Sequence, residues 1–170
     1  MKKQAVVWVS TVLYILISLA ILGIVLAAVQ PRIKAARDKA AIDQTVNMLN
    51  ELDQKIIEVD SSAEGNVRSI SLQLKRGILI IDKDEDEIKW TLEDSSYKYS
   101  EPGTTIIIGR IKALTEEVPG GFNVTLTLDY QNNLNITSSL VLQPAEIPYK
   151  VFMKNEGLYE KLNQIKIYST

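Results

Sequence analysis

The densest group of side chains able to do chemistry lies in IDKDEDEIKWTLED, residues 81–94. Asp82, Asp84, Asp86 and Glu93 fall at positions 1, 3, 5 and 12 of an EF-hand-like loop, a spacing at which carboxylates wrap a calcium ion. Position 6 of such a loop needs glycine for its sharp turn, and here it is Glu87. Ile88, Trp90 and Leu92 then alternate as a strand, where the calcium loop would lead into a helix. The segment therefore reads as an acidic, solvated hairpin turn, with weak cation binding by the clustered carboxylates as the alternative. No metal or cofactor is expected.

Other chemistry is thin. The chain has no Cys and no His, which removes disulfides, thiolate nucleophiles, His general bases and nearly all zinc sites together. Its glycines show no phosphate-binding spacing. Glu116 and Glu117 precede Pro119-Gly120-Gly121 and read as loop surface. The aromatic residues are scattered rather than set out as a stacking platform, and a net charge of -2 does not favour nucleic acid. No catalytic constellation emerges, and the chain is not expected to be an enzyme.

The elements that would position these residues begin with an apolar helix. MKKQAVVWVSTVLYILISLAILGIVLAAVQPR has two lysines before an uncharged run from Ala5 to Val29. As a helix that run spans roughly 37 Å, enough to cross a hydrocarbon layer of ~30 Å. A secretory signal has a shorter apolar stretch, so Ala27-Ala28 is set aside as a conventional cleavage site. Trp8 lies where an interfacial anchor is expected. Lys2 and Lys3 favour an inside N-terminus, although Arg32 to Lys39 put comparable positive charge on the other side. Asn123-Val-Thr125 and Asn135-Ile-Thr137 are glycosylation sequons and lean towards an exported C-terminal part. The expected topology is single-pass, N-in and C-out.

Past Pro31, which should kink the axis, Ile42, Val46, Leu49, Leu52, Ile56 and Val59 recur at spacings of three and four. This predicts an amphipathic continuation ending near Ser61-Ser62, with Ala36, Ala40 and Ala41 giving a small-residue face suited to another helix. From residue 67 the period changes to two, and Gly, Asn and Pro punctuate seven or eight antiparallel strands arranged as hairpins. Turns are expected at KRG (75–77), QNN (131–133) and NEG (155–157). The fold class is α+β, a long helix packed on a β-rich head, and an immunoglobulin-like sandwich is compatible with it. The boundaries are a basic leader at 1–5, the membrane or filament-core helix at 6–30, its amphipathic continuation at 31–62 and the head at 66–170.

This architecture resembles the type IV pilins, most closely the archaeal type IV pilin-like proteins, in the basic leader MKKQA, the apolar helix behind it, its amphipathic continuation and the β-rich head. The resemblance implies a structural subunit that polymerises through its N-terminal helix into a surface filament, with a role in adhesion. It implies partners too: other copies of the chain, membrane lipid before assembly, a prepilin peptidase and the pilus assembly machinery. Processing would fall after Lys3, leaving Gln4 first, or after Ala5, leaving Val6 first. Two positions depart from the family pattern: Trp8 or Ser10 stands where many pilins carry glutamate, and no glycine precedes the cut. The alternative is a single-pass anchor whose exported domain is a binding or envelope-scaffold module.

Overall fold

The amphipathic spacing of residues 42–59 and the period-two runs that follow it fold into one helix and ten strands, seen in a computed structural model. It describes the backbone of residues 2–169 and the side chains of Trp8 and of residues 11–169. The helix, α1, runs from Lys2 to Asp60. Pro31 lies inside it, with helical backbone on both sides, so the missing amide proton does not end the element. The chain divides into two compact units, residues 1–37 and 38–170. The first is the N-terminal part of α1.

The second unit is α+β. Its strands are β1 (Val67–Leu72), β2 (Ile78–Asp82), β3 (Glu87–Ser95), β4 (Thr105–Ile108), β5 (Ile111–Val118), β6 (Gly121–Asp129), β7 (Leu134–Ile136), β8 (Leu140–Leu142), β9 (Tyr149–Tyr159) and β10 (Leu162–Ser169). They form a four-stranded sheet in the order β1-β9-β10-β7 and a six-stranded sheet in the order β4-β5-β6-β3-β2-β8. All pairings are antiparallel except β7 with β10.

Alternation within the strands sends one set of side chains inward. Leu79, Ile81, Ile88, Trp90, Leu92, Val124, Leu126 and Leu128 come from the larger sheet, and Val151, Met153, Ile165 and Ile167 from the smaller. Ile42, Val46, Leu49, Leu52, Ile56 and Val59 of α1 join them in a single core. Helix and sheets thus share one interior, and no linker separates them.

The expected turns do not all close hairpins. KRG does not close a hairpin: β1 pairs with β9 and β2 with β3, so the segment carries the chain from one sheet to the other. QNN is a turn as expected, but it too closes no hairpin and leads from β6 in the larger sheet to β7 in the smaller. NEG lies inside β9, where the register against β10 shifts and Gly157 takes φ +98°: a β-bulge that uses turn residues. The true β9–β10 turn is Glu160-Lys161, both at positive φ. The ten strands exceed the expected seven or eight because IIIGRIKAL (106–114) and NLNITSSLVLQ (133–143), each of which reads as one strand in the sequence, break into two. The helix closes at Asp60, two residues before the expected boundary at 62.

One glycine is fixed by its surroundings. Gly77 has φ +74°, and a Cβ there would lie 2.5 Å from the Trp90 indole and 2.7 Å from the Thr91 carbonyl oxygen. Trp90 is fully buried and donates its indole N–H to the Arg76 carbonyl oxygen at 3.0 Å, so it has no room to retreat. Gly77→Ala and Leu49→Ala are each expected to lower the unfolding free energy, the latter by about 2–5 kcal/mol. Urea unfolding of the full chain in detergent, followed by Trp90 fluorescence, measures both. A midpoint within error of the parent for Leu49→Ala would remove α1 from the cooperative core.

Candidate functional site

Two surfaces compete as the functional part: the acidic hairpin and the first half of α1. The hairpin is built by β2 and β3, with Ile81 opposite Ile88 and Asp82 opposite Glu87. Residues 83–86 form its turn, and Asp86 takes φ +50°. Two of the carboxylates there, those of Asp82 and Asp86, hold backbone. Asp82 Oδ1 accepts from the Asp84 amide at 2.8 Å, and Asp86 Oδ1 accepts from the Ile136 amide at 2.7 Å. Gln131 Nε2 donates to the Glu85 carbonyl oxygen at 3.2 Å, and the Tyr130 amide to the Asp86 carbonyl oxygen at 2.9 Å. The turn therefore pins the β6–β7 connection.

Glu93 does not join this group. It lies in the bulge of β3 between Leu92 and Ser95, six residues past Glu87 and roughly 20 Å away along the strand. It lines a cleft of ≈ 330 Å³ with Lys75, Arg76 and Pro144. Asp82, Asp84, Asp86 and Glu93 thus cannot surround one ion together, and among the described residues no group of three or more acids converges on a metal position.

Both sequon asparagines are half-buried on strands, Asn123 on β6 and Asn135 on β7. Asn123 Oδ1 accepts from the Asp94 amide at 3.2 Å, holding the β3 bulge against β6. The processing candidates Lys3, Gln4, Ala5 and Val6 lie outside the residues whose side chains are described.

The first half of α1 is different in kind. Leu, Ile, Val and Ala dominate it, and helix formation pairs its backbone groups internally apart from the first-turn amides and the Ala27 carbonyl that faces Pro31, as a hydrocarbon surrounding requires. Ser18 turns its hydroxyl back onto the Tyr14 carbonyl oxygen at 2.8 Å, so this hydroxyl needs no water. From Thr11 to Lys34 every side chain is exposed. The helix is long and apolar enough to cross a membrane, and none of its most apolar stretch is buried. No other exposed surface among the described residues has comparable apolar extent.

Inside the second unit, polar side chains that periodicity could not reveal fix the amphipathic half of the helix. Asp38, fully buried, accepts the Ser96 amide on Oδ2 at 2.7 Å and pairs through Oδ1 with Arg76. Asp53 accepts the Tyr130 hydroxyl at 2.8 Å and faces the Arg110 guanidinium at 3.3 Å, which also lies over the Tyr130 ring. Burial, followed by the Asp53 charge, pushes the Tyr130 hydroxyl far above its ordinary range and keeps it neutral. At the end of α1, Asn155 Nδ2 donates to the Val59 and Ser62 carbonyl oxygens, and Asn163 Nδ2 to the Asp60 carbonyl oxygen. Two sheet amides thus satisfy the open carbonyl groups of the helix C-terminus. These residues hold structure, and the Arg110–Tyr130 cleft of ≈ 470 Å³ is lined by groups already paired.

Comparison with protein-family models, with curated proteins and with solved structures found no match to this chain.

Two outcomes follow. Adding calcium should leave the melting temperature unchanged, as read by scanning calorimetry, whereas a rise would restore the acidic turn as a cation site. Because the folded Tyr130 hydroxyl ionises at higher pH than the unfolded one, its contribution is complete below about pH 10 and fades above it. Tyr130→Phe should cost about 1–3 kcal/mol near neutrality and flatten the loss of stability between about pH 10 and about pH 12. Urea midpoints across that range test both parts.

Proposed function

We propose that this chain is the subunit of a type IV pilus-like surface filament, held in the membrane as a single-pass, N-in/C-out precursor and polymerised through its N-terminal helix. The observation that carries the reading is the contrast along α1. From Thr11 to Val29 the helix is apolar and uncovered, while its stripe from Ile42 to Val59 is buried in the head. An apolar helix of that length needs a cover, which lipid supplies before assembly and other copies of the same helix supply afterwards. Head-to-tail contacts of this sort do not close on themselves, so they extend as a filament. The head then faces the medium, where Asn123 and Asn135 are candidate glycosylation positions and adhesion is a suitable task.

The role is structural, with no reaction assigned to the chain. A prepilin peptidase and an assembly machinery are the partners this reading requires. Its rival is a permanently anchored exported domain serving as a binding or scaffold module, and processing separates the two. N-terminal sequencing of purified surface material should begin at Gln4 or Val6. An intact Met1 in protein confined to the membrane fraction would discard the filament and leave the anchor.

A further inference from the structure

Charge is divided unevenly along this chain. Residues 1–37 hold five of the 19 Lys and Arg residues and none of the 21 Asp and Glu residues, so that segment carries +5 and the remainder −7. Three of the five cations, Arg32, Lys34 and Arg37, follow the uncovered apolar stretch directly. All three are exposed, and none makes an ion pair among the described residues. The neighbouring Asp38 cannot neutralise them, because its carboxylate is buried on Ser96 and Arg76.

Their placement on the helix is as informative as their number. At about 100° per residue, Lys34 and Arg37 project about 200° and about 140° round the axis from Arg32. The cations therefore surround the helix rather than line one face. A protein partner docks on one side of a helix, whereas a lipid surface encircles it. Along the axis the three span about 7.5 Å, comparable to the polar layer of one leaflet outside a ~30 Å hydrocarbon core. Their long side chains can also reach outward to headgroups from a helix that is still partly immersed.

We propose that Arg32, Lys34 and Arg37 form a collar that binds anionic lipid headgroups where α1 leaves the membrane. Phosphate oxygens of an acidic phospholipid are the ligands: Arg32 and Arg37 offer paired guanidinium donors, and Lys34 a compact ammonium. The collar fixes how deep the helix sits, and the −7 remainder is repelled by the same surface it clings to. The inference rests on α1 crossing a membrane, which the filament and the anchor readings share, and not on polymerisation.

The test uses the full chain in bilayers of phosphatidylcholine with added phosphatidylglycerol, where spin-labelled lipids report which headgroup occupies the shell around the helix. The parent should prefer phosphatidylglycerol by about fivefold or more at low salt, the effect of one basic residue near an anionic surface. The preference should fall to parity in the variant Arg32→Gln/Lys34→Gln/Arg37→Gln and shrink at high salt. Lys2→Gln/Lys3→Gln should retain most of it. Two results would overturn the collar: no preference in the parent, or a preference unchanged by the triple substitution. If the first comes with loss of self-association in pure phosphatidylcholine on triple substitution, the cations belong to the acidic surface of a second copy. Because no assembly machinery is present, failure of the filament reading leaves this measurement unaffected.

Discussion

Ile42, Val46, Leu49, Leu52, Ile56 and Val59 leave water together, and the two sheets of the head are placed by the need to cover that stripe. Fully burying a side chain of this kind contributes about 1.5–3 kcal/mol, so six of them outweigh any surface pair in the head. Neither sheet closes the core alone. The larger gives Trp90, Leu126 and Leu128, the smaller Met153, Ile165 and Ile167, and the helix stripe completes the interior they share. Removing the helix would leave both inner faces wet, which is why the amphipathic half of α1 belongs to the head unit although it is the same element as the apolar half.

Apolar burial sets the helix against the sheets but does not by itself fix its position along them, and the polar contacts do. Asp38, Asp53 and the C-terminal carbonyls near Asp60 are spread along the buried half of α1, and each meets partners from the β region. Asp38 and Asp53 are also the carboxylates that the helix buries. A slide by one turn would strand both without partners, a cost of several kcal/mol per buried ion. The clamps therefore act as register marks.

Periodicity made the apolar stripe legible, and most strands with it, because each follows from the identity of neighbours three, four or two residues away. β3 and β6 lie where their alternating runs place them, since one face of each strand is buried. The acidic turn at 83–86 was legible for the same reason: Ile88, Trp90 and Leu92 set β3 against any helix there. What local pattern could not carry is partnership between distant segments. KRG reads as a turn whether the next strand pairs back or crosses to another sheet. NEG contains turn residues because a bulge demands the same positive φ at Gly157. Asn155 and Asn163 look like ordinary polar strand residues until the end of α1 is brought above them. Asp53, Tyr130 and Arg110 are likewise far apart in sequence, and no spacing rule joins them.

The two halves of α1 differ in character, and the change between them falls within a few residues. Before Arg32 the described side chains are apolar or uncharged and exposed; after Asp38 the stripe is buried and the opposite face is polar. A helix from Thr11 to Val29 left in water would expose apolar side chains on every side, at about 25 cal/mol for each Å². In the reading proposed above, the cover comes from outside the chain, from lipid or from the same segment of other copies. Of those, lipid is the one that also explains cations spread round the axis at the boundary. A bundle of like helices would bring Arg32, Lys34 and Arg37 of neighbouring copies together, and it becomes tolerable only once the −7 remainder of those copies is near enough to offset them.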